Sequence, residues 1–234
     1  MVSSIYKKTF SVLMKRPFRL WGISLLAEFL CLVAYAGFIG VPAAAFCAAL
    51  LLSASMSMIF LNSYRTGLEP KTSYLFASFK KDRILRVLGG MAWMQLWIFL
   101  WSLIPIVGIV FGIIRMYEYR FVPYILMTRD DVKPTDAIKI SKQETMGYKG
   151  KMFGADILLG AVYLGVFLVF TLLGEIPYLG VLFRILWVLI AIAYGLLAPL
   201  FSGIMHAAFY VEIQNRRAAG SWHPAAPARP DWPT

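Results

Sequence analysis

Histidine and cysteine are nearly missing from this chain, with two of each in 234 residues. Cys31 and Cys47 lie far apart inside apolar runs, which excludes paired Cys-x-x-Cys metal or redox chemistry and makes both buried free thiols. His223 stands in the C-terminal tail, and His206 near the end of a long apolar run, as an interfacial residue rather than a metal ligand. His-Glu-x-x-His, Gly-x-Ser-x-Gly, a phosphate-binding glycine loop and a dinucleotide fingerprint are all absent. The sequence therefore names no catalytic, metal or cofactor-binding residue, and no cofactor is expected.

Acidic residues are also scarce, 12 against 23 Lys and Arg. Only 15% of the chain is charged and 60% is hydrophobic, where a soluble domain has about 25% and about 45–50%. Mean hydropathy is +0.70. Apolar runs of roughly 20 residues imply membrane helices. Six are expected, over 20–39, 42–62, 87–103, 106–127, 153–173 and 179–211.

The start of the chain loosely resembles a signal peptide, with Lys7, Lys8, Lys15 and Arg16 before an apolar stretch and "AAA" at 43–45. The apolar run of 20–39 is longer than the usual h-region of about 7–15 residues. The same layout recurs later, so it is assigned to the mature fold.

The basic residues are confined to four places: 1–19, 63–86, 128–151 and the C-terminal tail. Only Arg115, Arg120 and Arg184 lie elsewhere. The alternate connections, "GFIGVPA", "LIPIVG" and "LGEIPYLG", hold no Lys or Arg, and Glu175 is their only charge. Basic loops remain cytoplasmic, so both termini are expected inside. The net charge of +11 then reads as topology and as attraction to anionic lipid at the inner face. It is not a nucleic-acid signal.

A phrase repeats. "IPIVGIVFGI" at 104–113 and "IPYLGVLFRI" at 176–185 share Ile, Pro, Gly, Phe and Ile, and "VPAAAFCAAL" at 41–50 is a diverged copy. Pro70 and Pro134 each stand 20 residues before the glycine, Gly90 or Gly154, that opens the following apolar helix. Units of about 1–62, 63–127 and 128–212 follow, within one membrane domain over 1–217 and ahead of a Pro-rich disordered tail over 218–234. The fold class is an all-α polytopic membrane bundle, six transmembrane helices built as three hairpins, each preceded by a cytoplasmic amphipathic helix. Proline ends one helix and starts the next at each outer turn. Gly108, Gly112 and Gly180 permit close helix approach. Ala45, Ala49, Ser53 and Ser57 form a small-residue stripe expected to pack on another helix.

Charges within apolar runs are costly and are functional suspects. Arg115 and Glu118 are three apart on one helical face. Glu28 lies at a similar counted depth, so Glu28, Arg115 and Glu118, with Arg120, form one candidate buried network. Glu175 and Arg184 form a candidate outer pair. Asp156 is placed at the cytoplasmic interface. The network reads either as a site for a headgroup, ion or peptide, or as an internal salt bridge that fixes helix register.

"ILRVLGGMAWMQLWIFLWSLIPIVGIV" and "YILMTRDDVKPTDAIKISKQETMGYKGKMF" resemble the bacterial domain-of-unknown-function family 975 of multipass membrane proteins, over roughly residues 60–215. The layout is also distantly similar to the membrane domain of some glycerophosphodiester phosphodiesterases, whose catalytic domain this chain lacks. The resemblance implies a six-helix bundle in a bacterial plasma membrane and brings no catalytic residues. Three readings follow. The first is a non-enzymatic accessory module binding lipid or a membrane-protein partner. The second is a small transporter or a lipid or peptide translocator. The third is a membrane enzyme acting on phospholipid. No nucleic acid and no particular oligomeric state are implied.

Overall fold

The computed structural model describes residues 1–15, 17–37, 42–67, 71–104, 107–176 and 178–219. Among them the regular elements are all helical: α1 (Val2–Lys15), α2 (Pro17–Gly37), α3 (Pro42–Thr66), α4 (Ile84–Ser102), α5 (Val107–Glu118), α6 (Val122–Thr128), α7 (Pro134–Thr145), α8 (Lys149–Leu173) and α9 (Gly180–Ala218). A 3₁₀ segment, Thr72–Phe79, lies between α3 and α4.

Four of these helices are long and apolar enough to cross a membrane: Ala43–Thr66, Ile84–Ser102, Lys149–Leu173 and Gly180–Ala218. Leu20–Val33 is a shorter apolar stretch. The proline turns at Pro105 and Pro177 lie outside the described residues, as does the tail from 220 onward.

The helix expected over 106–127 is broken. α5 ends at Glu118, residues 119–121 turn, and α6 begins at Val122. Pro123 explains the break. It has no N–H, and its ring collides with the preceding turn, so it is tolerated only at the start of a helix. Here it stands in the first turn of α6. At 12 residues α5 rises about 18 Å, too little to cross about 30 Å of hydrocarbon alone.

The end of α5 is satisfied by α7. Ser141 Oγ donates to the Glu118 carbonyl at 2.7 Å and accepts from the Phe121 N–H at 3.2 Å. Thr145 Oγ1 adds a second, longer bond to the same carbonyl. These bonds meet the need of a buried helix end for partners outside the helix. The buried residues of α7 are Ala137, Ile138, Ser141, Glu144 and Thr145, one face at the 3–4-residue helical spacing. Gly147, at φ 80°, turns the chain from α7 into α8 in the left-handed region where a side chain would be strained.

The second cytoplasmic amphipathic helix is replaced by the 3₁₀ segment. Its buried residues, Leu75 and Ser78, are three apart, which matches one 3₁₀ turn. Tertiary bonds hold it, because Ser55 Oγ of α3 both donates to Ser78 Oγ at 2.8 Å and accepts from the Ser78 N–H at 3.1 Å. The small-residue stripe on α3 also shifts. Ala45 is buried but Ser53 is exposed, and the buried side runs through Leu50, Leu51, Ala54, Ser55 and Ile59.

The core gathers around α6, where Val122 to Met127 are all buried. The C-terminal half of α9 packs on it, with Tyr124 and Tyr210 stacked at 5.1 Å and Phe121 edge-on to Tyr210 at 5.2 Å. Arg86 of α4 closes the end of α6 by donating to the carbonyls of Leu126, Arg129 and Val132 and to Asp130. Beside it Arg129 meets Glu144 at 2.7 Å. Burial works against the Arg129 charge, and the Glu144 carboxylate more than offsets it, raising the pKa above its ordinary value.

Away from this core the protein opens. The most apolar 18-residue stretches of α8 and α9 contain no buried residue. These two helices pack on each other through Tyr163–Tyr194, Phe167–Trp187 and Phe170–Phe183. α5 packs on α4 at Gly108 and Gly112, where an added Cβ would lie 2.7 Å from Trp101 O and from Ser102 Oγ respectively.

Candidate functional site

Charged groups converge where α5, α7, α8 and α9 meet. Glu118, at the end of α5, is 4% exposed. Arg115 Nη1 holds one carboxylate oxygen, and Lys149 Nζ, from the first turn of α8, holds the other at 2.6 Å. Two cations thus share one carboxylate. The Arg115 guanidinium also lies 4.7 Å from the centre of the Trp101 ring, a cation–π geometry. Its Nε is buried and has no partner among the described residues.

A second group forms around Asp156, seven residues after Lys149 on α8. Asp156 of α8 accepts from Tyr117 Oη at 2.7 Å and Arg120 Nη2 at 3.0 Å, and lies 3.0 Å from His206 Nε2 of α9. Arg120 additionally covers the Tyr117 ring at 5.0 Å. α1 passes alongside, and its Tyr6 donates to the Ala155 carbonyl at 2.6 Å. Burial first, and then the Asp156 charge, hold the Tyr6 phenol above its usual pKa, which keeps it a neutral donor.

The structure sorts the sequence candidates differently from their counted depths. Arg115 and Glu118 meet. Arg120, also assigned to their network, joins the separate Asp156 carboxylate. Glu28 is exposed on α2, which packs on α3 and α9, whereas α5 packs on α4, α7 and α8. Among the described residues Glu28 has no ion-pair partner. Counting residues along a helix gives height but not azimuth, and azimuth decides which charges face one another. Glu175 and Arg184 lie 3.9 Å apart, both strongly exposed, in the range where a pair contributes little. Arg184 also edges a shallow apolar depression with Val181, Ile185, Val188 and Leu189.

Lys149, Tyr117, Asp156 and His206 complete the cluster and were not in the candidate set. Asp156 carried a signal, being the lone acidic residue in the apolar run 153–173. Lys149 carried none, because it reads as one more basic residue of a loop.

Both carboxylates have partners on each side, and the Asp156 carboxylate that meets His206 also accepts from Tyr117 Oη. The described residues contain no group of three His, Cys, Asp or Glu able to hold a metal ion. No family model, curated protein or solved structure matches the chain.

Proposed function

We propose that this chain is a multipass protein of a bacterial plasma membrane, with both termini cytoplasmic, that serves as a non-enzymatic accessory module binding lipid or a membrane partner. Six membrane-inserted segments in three pairs, α2 with α3, α4 with α5 and α8 with α9, make up this reading, with α5 too short to cross alone.

The observation that carries the reading is the pairing of Glu118. Both oxygens are engaged, one by Arg115 and one by Lys149, and the side chain is almost fully buried. A transport pathway needs charges free to exchange partners with a passing substrate, whereas this set is tied down and joins α5 to α8. The exposed apolar surfaces of α8 and α9 provide the face for lipid or a partner helix.

The test is extraction into native lipid discs followed by identification of the lipids and proteins that co-purify. Stoichiometric retention of a lipid or a membrane protein is expected. Substrate flux by the purified protein in liposomes, lost in Arg115→Ala with folding retained, would replace this reading with the translocator.

A further inference from the structure

Glu28 stands apart from every other charge of the fold. α2 runs from Pro17 to Gly37, 21 residues, and Glu28 lies near its middle, about 14–17 Å from either end at about 1.5 Å per residue. Its side chain is exposed. Among the described residues it has no hydrogen bond and no ion pair. With α2 inserted in the membrane, this is a carboxyl group at mid-bilayer on the outside of the protein. A glutamate stem is too short to carry it to either headgroup layer, as the long stems of Lys and Arg do near helix ends. Hydrocarbon offers its oxygens no donor. The core does not relieve it either, since the buried side of α2 runs through Leu20, Ile23 and Ala27.

The surface beside Glu28 has the spacing of a helix contact. Gly22, Leu25, Phe29 and Leu32 follow one another at intervals of three, four and three residues, the repeat of a helix–helix seam. Phe29 and Leu32 are 59% and 66% exposed, and a Cβ added at Gly22 would meet nothing within 4 Å. Glu28 stands three residues after Leu25 and four before Leu32, so it flanks the seam at the position where charge selects a partner helix. Lipid tails satisfy the apolar seam but leave the carboxyl group unsatisfied.

Charge identifies the occupant. A phospholipid carries its charged group at the interface, far from the depth of Glu28. A second copy meeting through the same face brings two Glu28 carboxyl groups to one level. It supplies no cation there, because the described arginines of α5 and α9 within the apolar runs already lie beside carboxylates: Arg115 by Glu118, Arg120 by Asp156 and Arg184 by Glu175. A helix of another membrane protein with Arg or Lys at mid-depth has the complementary need. Its cation is equally costly in hydrocarbon, and one charge-assisted bond to Glu28 satisfies both groups.

We infer that the face of α2 over 22–32 docks a membrane helix of a partner protein, with an Arg or Lys of that helix on Glu28 and its apolar side chains on Phe29 and Leu32. This rests on the accessory-module reading and names the face and the chemistry of its membrane partner.

The experiment uses a synthetic Leu/Ala membrane helix of about 20 residues with Arg at its centre, against the same helix with Leu there. Binding to the full chain in phosphatidylcholine liposomes is read by energy transfer, with size-exclusion elution as the folding control. Wild type should bind the Arg helix about tenfold more tightly than the Leu helix, the effect of one polar contact between membrane helices. Glu28→Gln should remove most of that difference. Phe29→Ala should weaken both helices alike. Asp82→Asn, an exposed acid elsewhere, should change nothing. Equal binding of the two helices by wild type, or a preference that survives Glu28→Gln, would overturn the docking face. Dimers of wild type that Glu28→Gln disperses would assign the face to a second copy instead. In a background of Cys31→Ala and Cys47→Ala, ready labelling of Glu28→Cys by a membrane-impermeant maleimide would put the position in water and remove the need for a partner. Each of these leaves lipid as the ligand of an accessory module, whereas flux in liposomes would remove the accessory reading and leave the Arg-helix result in place.

Discussion

Lys149 Nζ lies 2.6 Å from Glu118 Oε1, on a carboxylate whose other oxygen is already held by Arg115 of the same helix. The contact ties the end of α5 to the start of α8 across 31 residues of sequence. The three side chains depend on one another unequally, and that asymmetry is measurable.

Glu118→Ala strands two cations beside one another in a mostly buried place, and should cost about 3–5 kcal/mol of stability. Lys149→Ala removes a partly exposed partner and leaves Arg115 in place, so it should cost about 1 kcal/mol or less. Unfolding in a fixed detergent or lipid disc compares the two directly. Equal costs would show that the carboxylate is not the hub.

Gly203 of α9 faces the Phe60 ring of α3 so closely that any Cβ would overlap it. Gly203→Ala should destabilise by about 1–3 kcal/mol through overpacking. Combining it with Phe60→Leu should give less than the sum of the two single effects, since the residues share one contact. Gly150→Ala is the contrasting case. A Cβ there meets nothing within 4 Å, and the gain in helix propensity should stabilise by up to about 1 kcal/mol. Strict additivity in the first pair, read from unfolding midpoints, would refute the packing account.

Arg86 donates to three carbonyls beyond the buried turn of α6 and to Asp130. Arg86→Ala should cost about 2–3 kcal/mol, because the carbonyls lose a charged donor. Arg86→Lys should recover only part of this, since an ammonium lacks the planar fork that reaches several acceptors at once. Hydrogen exchange should show the loss first in residues 122–132. Full recovery by lysine would mean that charge alone matters there.

The proposed topology places Tyr178 outside and Lys80 inside. In a background carrying Cys31→Ala and Cys47→Ala, a membrane-impermeant maleimide should label Tyr178→Cys in intact cells. Lys80→Cys should react only after permeabilisation. Both positions are exposed in the fold, so access will be limited by the membrane and not by packing. Labelling of Lys80→Cys in intact cells would reverse the orientation.

Much of the helical pattern was legible locally. The Pro134 start and Gly147 end of α7, its buried face at Ala137, Ile138 and Ser141, and the long apolar runs of α8 and α9 all follow from spacing and residue type. Pro123 was equally readable and shows how an apolar run can conceal a break. Hydropathy reports whether residues avoid water, and proline reports whether the backbone can continue. Between Arg120 and Thr128 the two signals disagree, and the backbone restriction prevails.

By itself the sequence determined an all-helical chain, its runs of apolar helix and the confinement of most basic residues to four segments, because each depends on residues near one another along the chain. Tertiary structure alone decided that Lys149 reaches Glu118, that Asp156 gathers Tyr117, Arg120 and His206, and that Glu28 stands apart. Those outcomes depend on how each helix is rotated about its axis and which neighbour it faces. Rotation is set by packing among α5, α7, α8 and α9, which no single stretch of sequence contains.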